Sequence, residues 1–119
     1  MSDNEHLRAA IYARVSTEDQ AREGFSIAAQ LKRLRSYCLA RGWVVTSEYV
    51  DDGYSGRSPE RPEYKRMMLD KDLWDVIVVL KMDRIHRNSR NFTMMMDFLR
   101  SWNKEFNSTQ ENFDTTTAI

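Results

Sequence analysis

One cysteine is all that the 119 residues contain, so no internal disulfide can form, and Cys38 suits a reducing, cytoplasmic setting. Glycine is nearly as scarce. Of its four copies, Gly53 and Gly56 form a Gly-x-x-Gly pair that matches neither a dinucleotide-binding nor a P-loop fingerprint, which argues against a nucleotide fold. No apolar run approaches the roughly 20 residues that span a bilayer, so no membrane partner is expected. The first residues, Met1 to His6, are polar and acidic and do not read as a signal peptide. Two separated histidines and one cysteine offer nothing like a metal-ligand cluster. No internal repeat or low-complexity linker interrupts the chain.

Net charge is absent too: 18 basic residues balance 18 acidic ones, which at first argues against a nucleic-acid partner. The kind of basic residue matters more than the total. Thirteen of the 18 are arginines, the side chain suited to forked contact with phosphate. Arg84, Arg87 and Arg90 fall within seven residues of one another. Arg22, Arg33, Arg35, Arg41, Arg66 and Arg100 read as surface charge that solvates a small domain. The remaining composition, 41% hydrophobic and 30% charged, is ordinary for a globular protein, and the length suits one domain with a core of its own.

The apolar run Ala9 to Ala13 reads as a buried strand. Thr17 to Gly24 is a polar loop, after which Ser26 can cap a helix whose buried stripe is Ile27, Leu31, Leu34 and Cys38. Gly42 supplies a left-handed stop. Trp43 to Val50 reads as a second strand, and Asp51 to Arg61 as a loop of turn residues. Pro62 suits the first position of a helix running to about Lys71. Val76 to Leu80 is a continuous apolar strand, as at the centre of a parallel sheet covered on both faces. A helix from about Ser89 to Asn103 turns Phe92, Met95, Met96, Leu99 and Trp102 to the core. Phe106 to Phe113 reads as a weak last strand, followed by a polar loop at Asp114 to Thr117. The order β-α-β-α-β-α-β predicts an α/β fold: a mostly parallel central sheet of about four to five strands with helices on both faces. The apolar ending, Ala118-Ile119, reads as the start of a further element and so as a truncated chain.

Two strand ends carry the chemistry. The first strand delivers Arg14 and Ser16; the Val76–Leu80 strand runs into Lys81, Asp83, Arg84 and Arg87. If these strands are parallel neighbours, both tails emerge at the edge where open α/β sheets place their sites. Attack on a phosphodiester needs a nucleophile, charge neutralisation at the phosphoryl oxygens and a proton path. Ser16 can be the nucleophile. Arg14, Arg84 and Arg87 can supply the charge, and Asp83 can hold an arginine or move a proton. A lone serine at a strand end more often caps or bonds locally.

Taken together, Tyr12-Ala13-Arg14-Val15-Ser16-Thr17, Gln20, a helix carrying Gln30, and Lys81-Met82-Asp83-Arg84-Ile85-His86-Arg87-Asn88 resemble the serine recombinase family of resolvases, invertases and large serine integrases. The resemblance runs from about Arg8 to Ile119 and includes Asp51 to Gly56, Arg61-Pro62 and Asp114 to Thr117. The segment Ala21 to Ile27 is most like the large serine integrase and transposase branch. The resemblance implies a resolvase-like catalytic domain over 1–119 that ends before a long oligomerisation helix and a DNA-binding region. It implies that Ser16 attacks a DNA phosphate, leaving a 5′-phosphoserine bond and a free 3′ hydroxyl. Arg14, Arg84 and Arg87 would hold the phosphate oxygens with Arg61, while Asp83, Gln20, Gln30 and Lys81 support the site. No cofactor is implied, since rejoining reverses the cleavage and conserves bond energy. The implied partners are DNA and, in the full-length protein, copies of itself as dimer and tetramer; this chain alone is expected to be inactive.

Two residues depart from the family pattern. His86 stands where a small residue is more usual, and Asn107 occupies an apolar strand position, so that strand is expected to pair poorly. A metal-dependent nuclease using Asp51, Asp52 and Asp83 is one competing reading, although adjacent aspartates on an extended strand point to opposite sides. A phosphate-binding or assembly remnant of a mobile element, without chemistry, is the other.

Overall fold

The computed structural model describes residues 7–15, 27–52, 61–81, 85–86, 89–111 and 113–116. Strand β1 (Arg8–Val15) is followed by helix α1 (Ile27–Ala40), strand β2 (Val44–Asp52), helix α2 (Pro62–Leu69) and a single 3₁₀ turn at Lys71–Leu73. Strand β3 (Val76–Val79), helix α3 (Ser89–Ser101) and strands β4 (Glu105–Ser108) and β5 (Phe113–Asp114) complete the order. The sheet runs β2-β1-β3-β4-β5, parallel throughout except for the antiparallel β4–β5 pair. The expected α/β architecture and the β1–β3 adjacency are both present.

Alternation along the strands divides the core in two. Ala9 and Ile11 of β1 and Val76 and Val78 of β3 face α1, where they meet Leu34 and Cys38. Ala10, Tyr12, Ile77 and Val79 face the other way, onto Met67 of α2 and Met95 and Leu99 of α3. All five residues from Val76 to Leu80 are buried, which is why the sequence there is apolar without alternation. Cys38 is fully buried, and burial pushes its thiol up to about 11, consistent with a core role. Gly42 takes the left-handed turn after α1 with φ 77°.

Strand β2 carries one extra residue. Ala9 pairs with Val45 but Ala10 pairs with Ser47, so Thr46 is bulged out of the ladder. The bulge reverses the phase of the strand: Val45 packs on the α1 side, whereas Tyr49 packs with Tyr12 on the α2 side.

Three expectations need correction. Asp51 and Asp52 belong to β2 rather than to a loop, because the ladder with β1 continues to Val15↔Asp52. The single last strand is two, β4 and β5, joined by a turn at 109–111. Asn107 does not spoil β4, all four residues of which pair with β3. Its Nδ2 donates to Tyr37 Oη at 3.0 Å, although its buried Oδ1 has no partner among the described residues. Arg41 is also more than surface charge. Its guanidinium lies 4.4 Å from the Trp43 ring centre and donates to Tyr37 Oη, Asp114 Oδ2 and Thr116 Oγ1, tying the end of α1 to β5. Arg35, Arg66 and Arg100 are exposed, as expected.

Candidate active site

The carboxyl ends of β2, β1 and β3 lie side by side because the three strands are parallel neighbours. An open α/β sheet forms its ligand site along that edge. Chain topology brings there Arg14 near the end of β1, Asp51 near the end of β2, Lys81 just beyond β3 and Arg61 just ahead of α2. Gln30 lies in the first turn of α1, the helix that follows β1. Arg14, Gln30 and Arg61 are 0%, 2% and 5% exposed, a degree of burial that arginine rarely reaches without a purpose-built surround.

Among the described residues, four side chains build the surround of Arg61. Asp51 comes first. Its Oδ1 accepts from the Glu63 backbone N–H at 3.0 Å, and its Oδ2 accepts from the Tyr64 N–H at 3.0 Å and the Tyr12 hydroxyl at 2.7 Å. Arg61, the residue preceding α2, makes no side-chain cap, so this helix is capped by a carboxylate from a neighbouring strand. The negative charge also suits the positive end of the helix dipole. Among the described residues three donors face Asp51 and engage both of its oxygens.

The Tyr12 oxygen, having donated to Asp51, accepts from Arg61 Nε at 3.3 Å and Nη2 at 3.2 Å. The Arg61 guanidinium carbon stands 4.4 Å from the Tyr64 ring centre and 5.5 Å from that of Tyr12, so two π faces also hold the cation. His86 closes the ring of contacts, with Nδ1 3.4 Å from Arg61 Nη1 and Nε2 2.9 Å from Tyr64 Oη.

Burial raises the Tyr12 hydroxyl well above its ordinary value against the pull of the Arg61 charge, and pushes Tyr64 up to about 12. Burial, with the Arg61 charge second, brings His86 down to about 4. At neutral pH Tyr12, Tyr64 and His86, the described side chains that touch Arg61, are therefore uncharged. Among the described residues no carboxylate reaches ion-pair distance of Arg61; Asp51 is one hydroxyl away.

The structure thus assembles Arg14, Arg61 and Lys81 at one sheet edge, with Gln30 on the helix that follows. Ser16, Gln20, Asp83, Arg84 and Arg87 lie outside the described residues, as do the Ser26 cap, the segment 21–26, the Gly53–Gly56 pair and Ala118-Ile119. The nuclease reading fares badly on Asp51, whose two oxygens already accept three hydrogen bonds. Among the described residues no three histidine, cysteine or acidic side chains converge.

Residues 9–119 match the resolvase N-terminal domain family. The chain belongs to the resolvase family. It is 40% identical to the N-terminal catalytic domain of TP901-1 integrase, with a TM-score of 0.84 over 93% of this chain and 84% of that one. It is 32% identical over 108 residues to the DNA-invertase of Escherichia phage P1, covering 91% of this chain and 52% of the invertase. An uncharacterised immunity region protein of Bacillus phage phi105 is 43% identical over 68 residues, 57% of this chain and 83% of that protein. The chain spans about half the length of the invertase.

For a resolvase-family chain, the residues that sequence reading missed are the holders of Arg61. From sequence, Tyr12 reads as part of the first strand, Asp51 as part of a turn-rich loop and a candidate nuclease ligand, and His86 only as a departure from the family pattern, while Tyr64 is assigned no role. Their one legible signal was the spacing of Arg61 and Tyr64, three apart at a helix start and so on one side of it.

Proposed function

We propose that this chain is the catalytic domain of a serine site-specific DNA recombinase. The observation that carries the reading is the buried Arg61, held by neutral groups at the carboxyl edge of the sheet beside Arg14 and Lys81. Membership of the resolvase family and the likeness to an integrase catalytic domain and a DNA-invertase support it.

In this reading Ser16 Oγ attacks a backbone phosphorus, forming a P–O bond to serine while the bond from phosphorus to the 3′ oxygen breaks. The serine proton is passed on, and the 3′ oxygen leaves with a proton as a hydroxyl. One phosphodiester is exchanged for another, so reversal by a second 3′ hydroxyl rejoins the strand without ATP. Arg14, Arg61, Arg84 and Arg87 hold the phosphoryl oxygens, whose charge grows in the transition state. Asp83, Gln20, Gln30 and Lys81 support them. The substrate is DNA in the cytoplasm. Residues 1–119 perform the chemical step of a longer protein, which assembles as dimer and tetramer through regions beyond it. The fraction of the invertase that the chain spans supports this division, and strand exchange by the 119 residues alone would refute it.

The test is a covalent adduct. The natural full-length protein is incubated with DNA from the flanks of its own gene and separated under denaturing conditions. A 5′-linked adduct at Ser16, lost in Ser16→Ala, is the expected result. No adduct with the wild type, or one that survives Ser16→Ala, refutes the assignment. Magnesium-dependent cleavage without a covalent species would favour a nuclease, and DNA binding unchanged by Ser16→Ala without any cleavage would favour a non-catalytic remnant.

A further inference from the structure

We infer that His86 is a positioning residue for Arg61 and acts as the neutral imidazole with its proton on Nε2. The inference rests on the reading of Arg61 as a phosphate holder and adds a residue that reading did not include. A guanidinium has donors only, so the contact between Arg61 Nη1 and His86 Nδ1 requires a lone pair on Nδ1. The neutral ring then carries its hydrogen on Nε2 and donates it to Tyr64 Oη, 2.9 Å away.

The ring is itself held. It stands edge-on to Tyr64, with centres 4.9 Å apart and planes at 83°, while the Tyr64 face supports the Arg61 guanidinium. Arg61 is thus fixed on two sides: Nε and Nη2 on the Tyr12 oxygen, and Nη1 on His86. These contacts use three of its five N–H groups and leave two that none of these partners takes. A planar fork held in this way loses little further freedom when it binds a phosphate oxygen pair.

A protonated His86 would have no acceptor to offer and would set a second positive charge against Arg61. The charged and titratable groups that face His86 among the described residues are Arg61 and Tyr64 of the α2 segment, with Tyr12 of β1 and Asp51 of β2 one bond behind. Burial and the Arg61 charge, which bring His86 down to about 4, keep the ring neutral through the physiological range. A small residue at this position would leave the Nη1 side of Arg61 without this acceptor.

The test is nitrogen NMR on the 119-residue chain, with inorganic phosphate as the probe. At pH 6.5 the wild type should show His86 as the Nε2–H tautomer and a slowly exchanging Arg61 Nη1–H, the group bonded to His86, that shifts as phosphate is added. His86→Ala should lose that protection and weaken phosphate binding about fivefold or more. His86→Asn, which keeps an acceptor near the Nδ1 position, should restore both to within about twofold. A Nδ1–H tautomer, a charged imidazole at pH 6.5, or an unchanged Arg61 signal and phosphate affinity in His86→Ala would overturn the proposal. The tautomer is read on the wild type, so the test does not depend on a variant folding. If the tautomer and the Arg61 protection are as expected but phosphate never moves the Arg61 signal, the phosphate-holding role of Arg61 fails while the positioning by His86 stands.

Discussion

Replacing Asp51 by alanine removes, in one step, the acceptor for two backbone N–H groups of α2 and for the Tyr12 hydroxyl. The site is 1% exposed, so water replaces little of what is lost. Hydrogen bonds to a charged acceptor contribute about 1.5–3 kcal/mol each, and a helix cap alone about 1 kcal/mol. Releasing the carboxylate from its buried position offsets part of this sum. The net loss expected is about 3–4 kcal/mol, a large share of the roughly 5–15 kcal/mol typical of a domain. Asp51→Asn keeps the Oδ1 acceptor for Glu63 but turns an N–H₂ toward the Tyr64 N–H, and should cost about 2 kcal/mol. Tyr12→Phe leaves the cap intact but takes from buried Arg61 the acceptor of its Nε and Nη2, for about 2 kcal/mol. Because Tyr12 and Asp51 share one hydrogen bond, the double variant Tyr12→Phe/Asp51→Ala should fall short of additivity by about 1 kcal/mol. Urea unfolding of the 119-residue chain, followed by circular dichroism, measures all four. A cost below about 1 kcal/mol for Asp51→Ala, or additivity of the pair within about 0.3 kcal/mol, would refute a cap supplied from β2.

Other consequences follow from single residues. His86 ionises less readily in the folded chain than at its ordinary value of about 6.5, so the unfolded chain takes up the proton first. Its contribution is present in full above about pH 6.5, declines toward pH 4 and levels off below, a loss of about 2 kcal/mol after allowing for solvent screening of the partly exposed ring. The same unfolding assay run from pH 7 to 4.5 should show this slope and should flatten in His86→Asn; an equal slope in both would sink the assignment. Asp75 is held below the ordinary carboxylate range, first by its side-chain hydrogen bond to Arg8, so its contribution goes only at lower pH and leaves that window clear. Asn107→Val removes the orphaned Oδ1, while Tyr37 Oη keeps its bond from Arg41. It should stabilise the chain by about 1 kcal/mol, and destabilisation of that size would show that Oδ1 has a structural duty.

Much of the fold was legible because each strand declares its environment. The unbroken Val76–Leu80 run can only be a strand covered on both sides, and the stripe Phe92, Met95, Met96, Leu99 and Trp102 can only be a helix with one buried face. The errors share a cause. Asp51-Asp52-Gly53 has turn chemistry, but pairing with β1 outweighs local preference and carries the strand to Asp52. Residues 109–111 break one apparent strand into two, because Phe113 gains both the β4 ladder and edge contacts with Phe92 and Phe106 by folding back. Arg41 passed as a solvated charge because its partners Trp43 and Asp114 are visible only once β5 is placed. The arginine-rich character of the site was readable, but the means of holding Arg61 was not. Its contacts join positions 12, 51, 64 and 86, too far apart for any local pattern.

The bulge at Thr46 decides whether that arrangement can exist. Strict alternation from Val45, which faces α1, would put positions 47, 49 and 51 on the α1 side as well. Asp51 would then be separated by the sheet from both Tyr12 and the first turn of α2. Bulging out one residue moves Tyr49 and Asp51 to the opposite face and brings Glu48 to the α1 side, where it accepts from Nε and Nη2 of Arg35. Thr46 is secured by its hydroxyl, which donates to the Leu73 carbonyl at 2.8 Å. The irregularity lies near the amino end of β2, remote from the edge that holds Arg61, yet it sets the side of the sheet on which the carboxylate emerges. The phase of one strand, rather than any feature next to the site, is what allows an aspartate to cap α2, orient Tyr12 and so hold Arg61 at the carboxyl edge of the sheet.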